Sequence, residues 1–170
     1  MTSVRINDGS AQRSRVNSIT VTFDRPVVRN AGAFTVVGRN GAGAGVFVSS
    51  ENPSGDGMTW VVTFDGDPVI GGSLPDGVYD LTVVAARVHA GTNTGPTMVT
   101  NYLTTFHRLF GDINGSGSVN NLDFGQFRNS FLKSVGDAAY NPAFDFDNSG
   151  SVNNADFGQF RGRYGKAFTY

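Results

Sequence analysis

Asp112–Lys133 reads DINGSGSVNNLDFGQFRNSFLK, and Asp145–Lys166 reads DFDNSGSVNNADFGQFRGRYGK. Fourteen of the 22 positions are identical at an offset of 33 residues. An internal repeat of this kind sets the architecture of the segment that carries it. Numbered from its first aspartate, the first copy has Asp112, Asn114 and Ser116 at positions 1, 3 and 5, Gly117 at 6, Ser118 at 7, Asn120 at 9 and Asp123 at 12. The second has Asp145, Asp147 and Ser149, then Gly150, Ser151, Asn153 and Asp156 at the same positions. Calcium takes six to eight oxygen ligands, and a loop of about 12 residues supplies them from alternate positions as it wraps the ion. The glycine makes the sharp turn, position 7 offers its carbonyl, position 9 acts through water, and the acid at 12 reaches back from the next helix. These twelve oxygen-bearing residues are therefore the expected ligands of two calcium ions. Solvated Asn/Ser/Gly turns with incidental acids would account for one such loop, but hardly for two in register. Both loops carry Asp at position 12, where the common EF-hand has Glu. Val119 and Val152 at position 8 are expected to pack inward and hold the two loops side by side.

A short helix is expected after each loop. Phe124, Phe127 and Phe131 fall at i, i+3 and i+7, as do Phe157, Phe160 and Tyr164, a stripe that faces a core. Gly125 and Gly158 lie inside these helices, where glycine costs about 1 kcal/mol relative to alanine. Their recurrence suggests close approach of the two helices. No helical pattern precedes either loop, so each unit is a loop followed by a helix, half of an EF-hand.

This duplicated loop-helix pattern, about 33 residues apart, resembles the type I dockerin over Gly111–Lys166. The resemblance implies calcium-dependent binding of a cohesin-type partner. It also implies contacts from Asn121, Leu122, Arg128, Asn129 and Lys133 in the first unit, and from Asn154, Ala155, Arg161, Gly162 and Lys166 in the second. Asn-Leu and Asn-Ala at positions 10 and 11 depart from the Ser-Thr common in cellulosomal dockerins. The two units repeat surface residues as well as loop and core residues, and the only two lysines of the chain both sit at position 22. A pseudo-twofold module would thus offer nearly the same face twice.

Before about Phe106 the period is two. Ile19, Val21 and Phe23 alternate with Ser18, Thr20 and Thr22; Met58, Trp60, Val62 and Phe64 alternate with Thr59 and Thr63; Tyr79, Leu81, Val83 and Ala85 alternate with Asp80 and Thr82. Such alternation means half-buried antiparallel strands. Further strands are expected at Ser3–Ile6, Ala33–Val37, Gly45–Ser49 and Val99–Phe106. Turn signals separate them at Asp8-Gly9, Asn40-Gly41, Gly55-Asp56-Gly57 and Asp76-Gly77. Seven short strands at this spacing suggest a β-sandwich. Leu74-Pro75-Asp76-Gly77-Val78-Tyr79 is similar to the corner of Ig-like sandwiches, where a tyrosine hydroxyl bonds back to the upstream backbone. The expected fold is two domains: an all-β Ig-like antiparallel sandwich over 1–107, then a small α-helical dockerin with duplicated EF-hand-like calcium sites over 108–170. Tyr102–Phe110 has no proline or glycine, unlike a flexible linker, so a nearly rigid pair is expected. Together these modules resemble the C-terminal ends of large exported proteins of planctomycete-like bacteria.

The 170 residues carry a net charge of −1, which gives no basic field for nucleic acid. No apolar run approaches the roughly 18 residues of a membrane span, and the first residues lack a signal-peptide pattern. An extracellular or cell-surface location is expected, the chain being a fragment of an exported protein. There are no cysteines, which excludes disulfides and thiolate metal sites. No GxSxG, HExxH or phosphate-cradling loop is present, and His89 and His107 lie outside any recognised motif, so no enzyme is expected. Asn114-Gly115-Ser116 matches a glycosylation sequon, but that asparagine is needed as a calcium ligand. Two other readings remain open: a calcium-stiffened structural module that assembles with copies of itself into a surface or extracellular filament, and a carbohydrate-binding sandwich with a dockerin tail. Trp60, the one candidate sugar platform, sits at a strand position that favours the core.

Overall fold

A computed structural model describes all 170 residues, Met1–Tyr170. Nine strands precede two helices: β1 Ser3–Ile6, β2 Ser18–Thr22, β3 Val27–Arg29, β4 Phe34–Gly38, β5 Phe47–Glu51, β6 Thr59–Asp65, β7 Gly77–Val83, β8 Val88–Ala90, β9 Tyr102–Arg108, α1 Asn121–Ser130 and α2 Asn154–Arg161. They form three antiparallel sheets, ordered β1-β2-β6-β5, β4-β7-β9 and β3-β8. The alternation read from sequence sets which face is inward. Ile19 and Val21 of β2 lie opposite Val62 and Trp60 of β6, while Tyr79 and Leu81 of β7 point into the same core. That core draws on all three sheets, with Val27 and Val88 from the smallest. No helix is long and apolar enough to cross a membrane.

All seven expected strands are present, most with ends displaced by one to three residues. The additional pair, β3 and β8, is three residues long in each strand, too short for alternation to register. The turn before β7 closes as its sequence implies, with the Tyr79 hydroxyl donating to the Pro75 carbonyl at 2.7 Å. Burial pushes the Tyr79 phenol well above its ordinary value, and its ring stacks on Phe106 at 5.6 Å. Trp60 is half-buried against the core. Its indole N–H donates to the Gly57 carbonyl, and the Arg29 guanidinium lies 5.4 Å from its ring centre.

A second core of seven buried residues lies C-terminal to β9: Leu109, Phe110, Val119, Phe127, Phe144, Val152 and Phe160. The chain moves from the first core at Phe106 to the second at Leu109 across only His107 and Arg108, both themselves buried. The N-terminal region also reaches this second core directly. Leu109 N–H donates to the Arg13 carbonyl, and Arg13 N–H donates to the Asp112 carbonyl. The Ser14 hydroxyl donates to the Ala143 carbonyl at 2.6 Å and accepts from Gly111 N–H at 2.8 Å. Residues 11–15 therefore strap the β region to both repeats.

Candidate metal centre

Each repeat folds around its first aspartate. In the first loop the two oxygens of Asp112 accept from the N–H groups of Ser116 and Gly117 at 3.0 and 2.9 Å. In the second, Asp145 accepts from Ser149 and Gly150 at 2.9 and 2.8 Å. The turn at position 6 needs positive φ, and Gly117 and Gly150 supply it at 81° and 87°. Asn114 and Asp147 also accept from the position-5 N–H of their loops. The hydroxyls of Ser116 and Ser149 both lie 3.2 Å from the position-7 carbonyl, Ser118 or Ser151, so these two expected ligands converge in each loop.

The remaining expected ligands double as helix caps. Asn120 and Asn153 are the N-caps of α1 and α2, accepting from the N–H of Leu122 and Ala155. Asp123 and Asp156 sit three residues on and return a bond to the cap backbone. Their second oxygens accept from Ile113 and Phe146 N–H, tying each helix start to the start of its own loop. A carboxylate has about four acceptor positions, so both acids keep lone pairs for a cation.

In the second loop, oxygens of Asp145, Asp147 and Asp156 lie within 4.8 Å of one another. Burial, reinforced by the charges of Asp147 and Asp145, pushes Asp156 above the usual carboxylate range despite its two N–H bonds. Burial alone would raise Asp145 too, but hydrogen bonds from the Tyr140 hydroxyl and from Gly150 and Ser149 N–H outweigh it and hold this carboxyl low. Burial and the neighbouring Asp145 push the Tyr140 phenol up to about 12. The first loop has two carboxylates, Asp112 and Asp123, both buried, with His107 Nε2 2.6 Å from Asp112 Oδ2. Buried carboxylates converging with hydroxyl and carbonyl oxygens form a donor set that fits a hard divalent cation.

Val119 and Val152 share the second core, but their backbones are not paired with each other. Both are buried, as expected, and each pairs with chain beyond the other unit's helix. Val119 N–H donates to the Lys166 carbonyl and its carbonyl accepts from Gly165; Val152 makes the same bonds with Lys133 and Leu132. The aromatic rings follow the same near-twofold relation: Phe124 to Phe160 is 6.0 Å and Phe157 to Phe127 is 5.9 Å, with Phe127 and Phe160 in contact at 4.7 Å on the axis. Gly125 and Gly158 play no part in this packing. Both are exposed, and a Cβ at either would meet nothing within 4 Å, so the structure gives no packing reason for them.

The two loops are braced differently from the β side. Arg15, almost fully buried, donates to the carbonyls of Asp145 and Pro142, to Asn148 Oδ1 and to the Gly71 carbonyl. Its burial pushes the guanidinium down from its ordinary value, against the pull of Asp145. In the first loop Gly115 stands where the second has Asn148. A Cβ there would lie 2.1 Å from the Ala11 carbonyl, so only glycine fits. Arg15 gave no sequence signal, being one of seven thinly spread N-terminal basic residues. His107 and Tyr140 could have been flagged, since both stand five residues before their loop aspartate.

Residues 110–160 match the family model of the dockerin type I domain. This segment is a type I dockerin. The dockerin is an interaction module rather than a catalytic one. No match is found among curated proteins. Two solved structures are similar to the chain, an N-terminal-interface mutant and a C-terminal-interface mutant of the type II cohesin–X-dockerin complex of Acetivibrio cellulolyticus. Each comparison covers 89% of this chain and 97% of the other, at 16% and 17% identity and TM-scores of 0.32 and 0.33. All ten residues expected to contact a partner are exposed on the dockerin, Leu122 at 72%. Asn121 and Arg161, from opposite units, meet along one groove with Phe124, Phe157, Phe160 and Tyr164, and the Tyr164 hydroxyl donates to Asn121 Oδ1.

Proposed function

We propose that this chain is a calcium-dependent anchoring module of an exported bacterial protein, an Ig-like β-sandwich over 1–107 followed by a dockerin over 108–170 that engages a cohesin-type partner. The observation that carries the reading is the convergence of oxygen donors in both repeats, with three carboxylates drawn together in the second. Two calcium ions would be held by Asp112, Asn114, Ser116, Ser118 and Asp123, and by Asp145, Asp147, Ser149, Ser151 and Asp156, with Asn120 and Asn153 acting from their capping positions. Calcium would neutralise the buried carboxylates and fix the loops that set the helices. The corner bond of Tyr79 and the core shared between sheets support the sandwich. The coverage of Trp60 by Arg29 does not favour a sugar platform there.

Ligand charge is one determinant of calcium affinity. The second site, with three carboxylates against two, is expected to bind more tightly. Calorimetry on Asp112→Ala and Asp145→Ala reads each remaining site, and a tighter first site would contradict the expectation.

The near-twofold ring geometry supports two equivalent partner faces, one centred on Arg128 and Lys133, the other on Arg161 and Lys166. Capture of a panel of cohesin domains by the full chain, in calcium and in chelator, tests the function. Arg128→Glu with Lys133→Glu, and Arg161→Glu with Lys166→Glu, are each expected to be tolerated, while the four changes together abolish binding. Loss of all affinity from one pair, with calcium uptake intact, would leave a single working face. Indifference of binding to chelator would overturn calcium dependence.

A further inference from the structure

We infer that His107 and Tyr140 are matching positioning residues for the two calcium sites, each donating a hydrogen bond to Oδ2 of its loop's first aspartate and so locking that carboxylate in one rotation. The inference rests on the calcium reading proposed above. His107 Nε2 lies 2.6 Å from Asp112 Oδ2, and the Tyr140 hydroxyl lies 2.7 Å from Asp145 Oδ2. Both stand five residues before their aspartate, yet they are different residue types, and they come from different places. His107 is the penultimate residue of the last strand of the β region, β9, whereas Tyr140 lies in the connection between the repeats.

The chemistry is the same at both. Asp112 and Asp145 are completely buried, and a buried carboxylate needs hydrogen bonds to replace lost water. An ionised carboxylate only accepts, so the imidazole Nε2 and the phenol oxygen must carry the protons. The Tyr170 hydroxyl lies 2.8 Å from His107 Nδ1, so that nitrogen is occupied and Nε2 is the one that faces Asp112. In each loop Oδ2 thus takes two donors, one from the position-6 glycine and one from this side chain, while Oδ1 remains on the loop side with the position-5 N–H. Partners of this kind orient a metal ligand, and their removal typically costs 10–100-fold in metal affinity. The first calcium site is then completed by a residue of the β region.

The test uses the full chain titrated with calcium alone, followed calorimetrically and by the rate of release to a chelator. In the Asp112→Ala background, which leaves the second site, Tyr140→Phe is expected to weaken binding by about 10–100-fold. In the Asp145→Ala background, His107→Phe is expected to weaken the first site by a similar factor, and His107→Gln, which retains an amide donor, to recover part of it. Each loss is expected as faster release, with the other site unchanged in the single variants. Unchanged affinity in Tyr140→Phe and His107→Phe overturns the inference. So does equal weakening of both sites by either variant, which would mean a general loss of stability. If the unmutated chain takes up no calcium, the calcium reading fails, and the inference with it.

Discussion

Excess chelator is expected to abolish the helical signal of the dockerin while the β region stays folded. The dockerin has little to hold it without a cation. Its core is seven buried residues, and its helices are 10 and 8 residues long. Isolated helices below about 12–15 residues are marginal in water. Against that small core stand four buried carboxylates, Asp112, Asp123, Asp145 and Asp156, with Asp147 adding charge to the last two. A ligand at 1,000 times its dissociation constant stabilises by about 4 kcal/mol per site, so two sites give roughly 8, comparable with the whole stability of a small domain. Residues 11–15 should lose their anchors at the same time, so the β region is expected to melt at a lower temperature in chelator. Circular dichroism with and without calcium, followed by thermal scans, measures both. A helical signal unmoved by chelator would refute metal-coupled folding.

Asp76→Ala is expected to cost about 3–5 kcal/mol, the usual penalty for leaving buried charge without its partner. Asp76 Oδ1 accepts from Arg108 Nη1 at 2.6 Å and from Phe110 N–H at 2.9 Å, while Oδ2 accepts from Arg163 Nε at 2.5 Å. Both guanidiniums lie within 6 Å of the Phe110 and Phe146 rings. Burial pushes Arg108 down to about 10, opposed by Asp76. Removing that carboxylate leaves two adjacent cations in a largely apolar setting and strands the Phe110 N–H. Asp76→Asn, which keeps an acceptor but no charge, should fall between. Urea unfolding of the calcium-loaded chain reads the effect, and a change below about 1 kcal/mol in Asp76→Ala would show that the arginines find other partners.

Asp76 also marks the limit of what the sequence disclosed. In Asp76-Gly77 it signals a turn, and the turn is there. Nothing local shows that its carboxylate ties the β region to Arg163, 87 residues away. The strands were legible because alternation is a property of neighbours, and the loops because one short segment folds around its own aspartate. Ser14, Arg15 and Arg108 do their work at long range, where residue type alone says little. His107 and Tyr140 escaped because the repeat preserves their place and not their identity. Gly125 and Gly158 misled for the opposite reason: repetition implied a packing role, and both are open to solvent.

The crossed pairing of the position-8 valines bears on how such a module came to exist. A single unit leaves its Val119 or Val152 backbone without the strand it needs, because that strand follows the other helix. Two identical copies related by a twofold axis would each supply what the other lacks, as in any isologous dimer. The present chain has the form of such a dimer joined in one polypeptide, the unit occurring twice with residues 134–141 as the covalent tether. The equivalence extends to the backbone: Leu132 holds φ at 61°, the left-handed conformation that its counterpart Gly165 adopts at 82°. The two halves are also unequal where they meet the β region: Gly115 lies against the Ala11 carbonyl, whereas its counterpart Asn148 accepts from Arg15.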